Sequence, residues 1–257
     1  MFLEHKGTSI YYTDSGKGTA IILLHGFLEN SSMWSKIASE LSKKHRVICI
    51  DLLGHGKTGC IGYIHTMEMM ADAVQTVISH LKIRRYYIVG HSMGGYVSLV
   101  LAERLPDNIK GLVLMNSTTK PDSPERIEIR TRGIEVAKTN YKAMVEMSIA
   151  NLFKPENVKK FAKDIKTLKK EALKTPLQGY IAAQEGMKTR QDLEVLLHFS
   201  PYKKMIIIGK ADPVLNYNAI LQQIENTEVK LVEYPDGHMS YIENESEVLQ
   251  ELMHFIE

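Results

Sequence analysis

The sequence predicts an α/β fold, a mostly parallel eight-stranded sheet flanked by helices, with one helical insertion after the sixth strand. Three observations predict it. Near-continuous apolar runs of four or five residues alternate with helical patterns through the first 116 residues. The same alternation resumes at residue 205. Between about 120 and 200 there is no strand pattern, only lysine-rich amphipathic spacing. A chain of 257 residues, 44% hydrophobic and 24% charged, is ordinary for a folded protein near the upper size of one domain. With 17 Gly and 8 Pro it is not low-complexity disorder.

Each element follows from its local pattern. Residues 2–5 and 8–13, joined across Lys6-Gly7, are close enough for an antiparallel hairpin that ends in a turn at Asp14-Ser15-Gly16. Residues 20–24, 46–50, 86–89 and 112–115 are apolar almost throughout, as expected of strands covered by helices on both faces. Helical patterns at about 33–43, 67–82 and 93–104 separate them, which implies right-handed crossovers and parallel pairing. In the insertion, Val158, Phe161, Ile165 and Leu168 recur every three or four residues and mark a helix face. A strand at 205–208, a helix near 217–224, a strand at 229–233 and a helix at about 246–256 complete the order.

Charge and cysteine usage narrow the class. The net charge of +2 is too balanced for a nucleic-acid or membrane-surface protein. It is unevenly spread, with 18 Lys and Arg against 11 Asp and Glu in residues 120–204, and 14 against 19 elsewhere. The lysines from Lys159 to Lys174 read as the solvated side of one helix. Two cysteines, Cys49 and Cys60, exclude a disulfide scaffold. The N-terminal residues lack a signal-peptide pattern, and no run approaches the roughly 18–20 apolar residues of a membrane span. A soluble, cytoplasmic protein is expected.

Chemistry concentrates at the strand ends. The run 86–89 leads into Gly90-His91-Ser92-Met93-Gly94-Gly95 and then a helix, a G-x-S-x-G turn that lifts a serine hydroxyl above the sheet edge. Acyl chemistry at a serine also needs a base, an orienting acid and an oxyanion site. The strand 205–208 ends in Gly209-Lys210-Ala211-Asp212, and the strand 229–233 in Tyr234-Pro235-Asp236-Gly237-His238, so an aspartate and a histidine share the rim with Ser92. The strand 20–24 ends in His25-Gly26-Phe27, where the Phe27 amide can join that of Met93 in holding a developing oxyanion.

These motifs, together with Asp51-Leu52-Leu53-Gly54-His55-Gly56, resemble the α/β-hydrolase superfamily of serine hydrolases, over the whole chain. The resemblance implies Ser92 as nucleophile, His238 as general base, Asp212 as its orienting acid, and Phe27 and Met93 as oxyanion donors. It also implies a core of residues 1–116 and 205–257 and a cap, or lid, of residues 117–204. Ser92 argues against the relatives with aspartate or cysteine at the elbow, and Asn116-Ser117-Thr118 offers no carboxylate after the sixth strand. The implied activity is hydrolysis of a small or medium acyl ester without a cofactor. Three alternatives stand beside it. They are a carbon–carbon bond hydrolase, a menaquinone-pathway-type lyase, and a non-catalytic ligand-sensing relative. The lyases carry arginine after the elbow glycines, where this chain has Tyr96.

Leu28, Trp34 and Tyr96 are expected to wall the substrate pocket. Asp236 reads as part of a Pro-Asp-Gly turn, not as the acid. His25 and His91 are expected to tie their rings to backbone, and no metal is expected at His25, His55, His91 or His238. Asp51 and the 54–56 turn should brace the loop after the fourth strand. Met67, Met69 and Met70 read as core. Met144, Met147, Phe153, Tyr180 and Met187 divide between the insertion's own core and the substrate.

Overall fold

The computed structural model describes all 257 residues. The hairpin β1 (Phe2–His5) and β2 (Thr8–Ser15) opens an eight-stranded sheet completed by β3 (Ala20–Leu24), β4 (Arg46–Ile50), β5 (Tyr86–His91), β6 (Ile109–Met115), β7 (Lys203–Gly209) and β8 (Lys230–Tyr234). The spatial order is β1-β2-β4-β3-β5-β6-β7-β8. β2 runs antiparallel to β1 and β4, and every other pair is parallel. Before the insertion the helices are α1 (Ser35–Leu41), α2 (Met67–His80) and α3 (Met93–Arg104).

The pleat sorts the apolar runs into two cores. Leu23 pairs with Cys49 and Val89, Val89 with Val113, and Val113 with Met205, and that row is buried on one face. Their neighbours Ile22, Ile88 and Leu112 are buried on the other face, against α2 and α3. This two-sided burial is why the strands carry no polar alternation.

Several boundaries differ from expectation. β2 extends through Asp14 and Ser15, because Arg46 binds the Asp14 carboxylate in a forked pair at 2.6–3.2 Å, and the turn begins at Gly16. The first helix divides into a 3-10 turn at Ser31–Trp34, capped by the Asn30 side chain, and α1. Val158 does not join the apolar stripe, since the helix begins only at Ala162 and leaves Val158 exposed.

Between β6 and β7 the chain forms α4 (Pro124–Ala150), α5 (Ala162–Ala172), α6 (Leu177–Lys188) and α7 (Val195–Phe199). α4 breaks at Asn140 (φ −147°, ψ 70°), whose side chain accepts from Ala143 N and so caps the second half. Ile134, Ala137, Val145, Ile149 and Tyr180 pack around Leu28 from the loop after β3. α6 docks on the loop after β4, where His65 N donates to Ala182 O at 2.9 Å; a side chain at Gly186 would overlap the His65 carbonyl. Of the divided residues, Phe153 joins the core beneath the sheet, Tyr180 and Met144 join the insertion's core, and Met147 is exposed. Met67 and Met70 are core, with Met69 packed against it.

After β7 come α8 (Tyr217–Gln223), α9 (Ser240–Glu243) and α10 (Glu245–Ile256). Cys49 and Cys60 are unbonded, and burial raises the Cys49 thiol to about 12. No helix is long and apolar enough to cross a membrane.

Asp51 braces the rim as expected. Its buried carboxylate accepts from Ser31 N at 2.7 Å and Lys57 N at 2.8 Å, joining the loops after β3 and β4. Asp51→Ala strands both amides and is expected to cost about 2–4 kcal/mol. Urea denaturation should show this as a lower midpoint with an unchanged slope.

Candidate active site

The parallel strands deliver four loops to one edge of the sheet, and the structure brings the three expected side chains into contact there. Ser92 follows β5, Asp212 follows β7 and His238 follows β8. His238 Nε2 lies 3.0 Å from Ser92 Oγ, and His238 Nδ1 lies 2.7 Å from Asp212 Oδ2. A serine hydroxyl donating to Nε2 and a carboxylate accepting from Nδ1 define a neutral imidazole with its proton on Nδ1.

The local backbone explains how Ser92 is presented. It has φ +48° and ψ −114°, a left-handed strain that turns the chain sharply from β5 into α3. The turn fits only because its flanks are bare. A Cβ on Gly90 would strike the Gly94 carbonyl, and one on Gly94 would strike the Leu24 carbonyl. Met93 begins α3, so its N–H is one of the four without an intrahelical acceptor. The Phe27 N–H, in the adjacent loop, is also unspent.

Asp212 is fully hydrogen-bonded. Oδ1 accepts from the amides of Val214 and Leu215 at 2.8 and 3.0 Å, and Oδ2 also accepts from Asn116 Nδ2 at 3.1 Å. Burial works to raise this carboxyl, but His238, the Val214 amide and Asn116 together hold it below its ordinary value. Asp236 points elsewhere, accepting from Asn157 and Asn244 at 2.8 Å each.

A cavity with about 540 Å³ of empty space, its mouth included, opens above Ser92. Phe27, Leu28 and Tyr96 wall it from the sheet side, and Ile149, Leu152 and Met187 from the insertion. Trp34, expected on this wall, is instead fully buried beneath the sheet, 6.2 Å from the Tyr241 ring. The 3-10 turn after Asn30 rotates it inward. No group of three His, Cys, Asp or Glu side chains is arranged to hold a metal ion.

The model of the alpha/beta hydrolase fold matches residues 19–245. The chain belongs to the α/β-hydrolase fold family. A thermophilic esterase from Thermogutta terrifontis, solved with malate bound, superposes with a TM-score of 0.89 at 28% identity over 99% of this chain and 96% of its own. The pimeloyl-[acyl-carrier protein] methyl ester esterase of Aliivibrio fischeri is 24% identical across 97% of this chain and 98% of its own. A 2-hydroxy-6-oxononadienedioate/2-hydroxy-6-oxononatrienedioate hydrolase of Paraburkholderia phymatum is 29% identical across 70% of this chain and 62% of its own. The chain spans only 30% of the length of a Mycobacterium tuberculosis relative that it matches at 35% identity over 103 residues.

This α/β hydrolase also holds a buried charge network that sequence reasoning missed. Glu29 Oε2 lies 2.7 Å from His91 Nδ1 and accepts from Gly26 N at 2.7 Å, while Oε1 accepts from Tyr241 Oη at 2.8 Å. His91 Nε2 donates to the His238 carbonyl at 3.0 Å. His91 was expected on backbone alone. Both its partners only accept, so both ring nitrogens carry protons and the ring is an imidazolium. The pKa directions agree. Burial works to lower His91, but the Glu29 charge and hydrogen bond raise it overall, and the same pairing overrides burial to lower Glu29. His25 contrasts, donating from Nδ1 to Gly26 O and accepting Leu52 N on Nε2. Burial lowers its pKa, outweighing the Asp51 charge and the Gly26 hydrogen bond.

The sign of the pH dependence follows. A lowered Glu29 stabilises fully above its ordinary 4.5 and loses that as pH falls through its folded value. A raised His91 stabilises fully below its ordinary 6.5 and loses that as pH rises through its folded value. The pair therefore contributes most between 4.5 and 6.5. Glu29→Gln removes one side of a buried pair and is expected to cost about 3–5 kcal/mol. Histidine NMR titration of that variant should show His91 deprotonating below 6.5, in contrast to the wild type.

Proposed function

We propose that this α/β hydrolase is a serine esterase that cleaves a small or medium acyl ester through an acyl-enzyme on Ser92. The observation that carries the reading is the relay of 3.0 Å and 2.7 Å from Ser92 through His238 to Asp212 at the strained elbow. In this reading His238 Nε2 takes the Ser92 proton as Oγ bonds to the acyl carbon. The amides of Phe27 and Met93 receive the charge that develops on the carbonyl oxygen. Asp212 keeps the Nδ1 tautomer and stabilises the imidazolium, which passes its proton to the departing alcohol. A water deprotonated by His238 then releases the acid. Residues 117–204 act as the cap that closes the site.

The likeness to two esterases supports this reading. The Paraburkholderia relative supports a second, in which the same residues split a carbon–carbon bond beside a ketone. A substrate panel separates the two, with turnover of simple aryl esters at kcat/KM well above that of vinylogous diketones expected here, and the reverse order favouring the second.

Ser92→Ala is expected to lower kcat on a p-nitrophenyl ester by at least about 10⁴-fold, with the melting temperature held within a few degrees. A fluorophosphonate probe should label wild type at Ser92 and leave the variant unlabelled. Wild-type kcat in Ser92→Ala would overturn the assignment, and absence of labelling in the wild type would favour a non-catalytic binding protein.

A further inference from the structure

The far wall of the cavity carries a positive charge that ester cleavage does not use. Arg126 and Arg130, both from α4, line the same cavity as Ser92. Beside them stands Arg190, its guanidinium 4.2 Å from the centre of the Tyr96 ring. One carboxylate serves this corner. Asp122 pairs with Arg130 Nε at 2.5 Å and with Arg190 Nη1 at 2.6 Å. Arg130 spends a further donor on Gln184 Oε1 at 2.8 Å, and Arg190 donates to the carbonyls of Lys120 and Met187 at 3.0 Å each.

Arg126 differs from both. Its backbone N–H donates to Ser123 Oγ, but its guanidinium makes no hydrogen bond, and no carboxylate lies within ion-pair distance of it. It is half-buried, and burial followed by the charge of Arg130 pushes its pKa down from the ordinary value. An arginine nonetheless stays protonated, so the corner holds three cations against one anion. The other carboxylate of the cavity, Glu29, is already neutralised by His91 and cannot compensate. A half-buried charge without a partner is costly to keep, and a planar fork of five donors matches a carboxylate in two-point contact.

We propose that Arg126 is the anion-binding residue of the substrate cavity, and that the ester cleaved at Ser92 carries a free carboxylate held by its guanidinium. The inference rests on the reading of Ser92 as nucleophile and adds the substrate class, a monoester or lactone of a small carboxylate-bearing acid. A carboxylate fits better than a phosphate, because only one fork is free. A dianion would call for a second unspent cation, and Arg130 and Arg190 are already committed.

The test compares matched substrates. In one pair, 4-nitrophenyl hydrogen glutarate against 4-nitrophenyl valerate, the carboxylate sits on the acyl side. In the other, 4-acetoxybenzoate against its methyl ester, it sits on the leaving group. Wild type should favour the charged member of at least one pair by about tenfold or more in kcat/KM. That ratio should fall about tenfold in Arg126→Gln and be partly kept in Arg126→Lys. Arg132→Gln, an exposed arginine of the same helix paired with Glu128, should leave the ratio unchanged. Equal ratios in wild type and both Arg126 variants would overturn the proposal, as would a wild-type preference for a terminal phosphonate over the carboxylate. Calorimetry of glutarate binding to the Ser92→Ala protein, with and without Arg126→Gln, is independent of turnover. Loss of glutarate binding with Arg126→Gln supports the subsite even where no ester is cleaved, which would then count against Ser92 alone. Unchanged binding in folded Arg126→Gln and Arg126→Lys proteins overturns it.

Discussion

One buried carboxylate, Glu29, ties together three of the four loops at the sheet edge. It takes the Gly26 amide after β3, the His91 ring just before the elbow, and the Tyr241 hydroxyl in α9. Through His91 it reaches the His238 backbone after β8. His91 and Glu29 are 2% and 3% exposed, so neither charge is solvated. The arrangement holds because every oxygen of Glu29 and both nitrogens of His91 have partners. Losing either partner leaves an uncompensated charge beneath Ser92, and the loops lose their common tether.

The sheet supplies the rest of the constraint. Parallel strands place all their C-terminal ends on one edge, so residues far apart in sequence meet there without any adaptation of the helices. Asn116, after β6, shows how tightly the ends are coupled. Its side chain donates to Asp212 at 3.1 Å and to the Gly237 carbonyl at 3.3 Å, so it steadies both that carboxylate and the histidine loop. The position lacks a carboxylate, as its sequence neighbourhood showed, and the amide instead serves the carboxylate that β7 provides.

What was legible in the sequence was whatever repeats or stands in a fixed order. Strands buried on both faces announce themselves as unbroken apolar runs, and the elbow announces itself by glycines that no side chain could replace. Asp212 and His238 were legible because each follows such a run. Glu29 and Arg126 were not, since a charged residue looks the same in sequence whether it is solvated or sealed beneath a ring. Trp34 failed for a related reason. It was expected on the pocket wall with Leu28 and Tyr96, but it closes the 3-10 turn at Ser31–Trp34 and is buried under the sheet.

The uneven charge of residues 120–204 likewise combines two populations that composition cannot separate. Around α5 the surplus is lysine, mostly exposed, and such compact hydrated charges contribute little beyond solubility. At the start of α4 it is arginine, turned toward the cavity, where desolvation gives each charge far more weight. The same insertion also reaches the histidine loop, because Leu152 O accepts the His238 amide at 2.8 Å and Lys154 N donates to Glu243 at 3.2 Å. A displacement of α4 relative to the sheet would therefore move the arginine corner and strain the histidine loop together. In this molecule the segment that fixes the electrostatics of the cavity is also mechanically joined to the loop that carries His238.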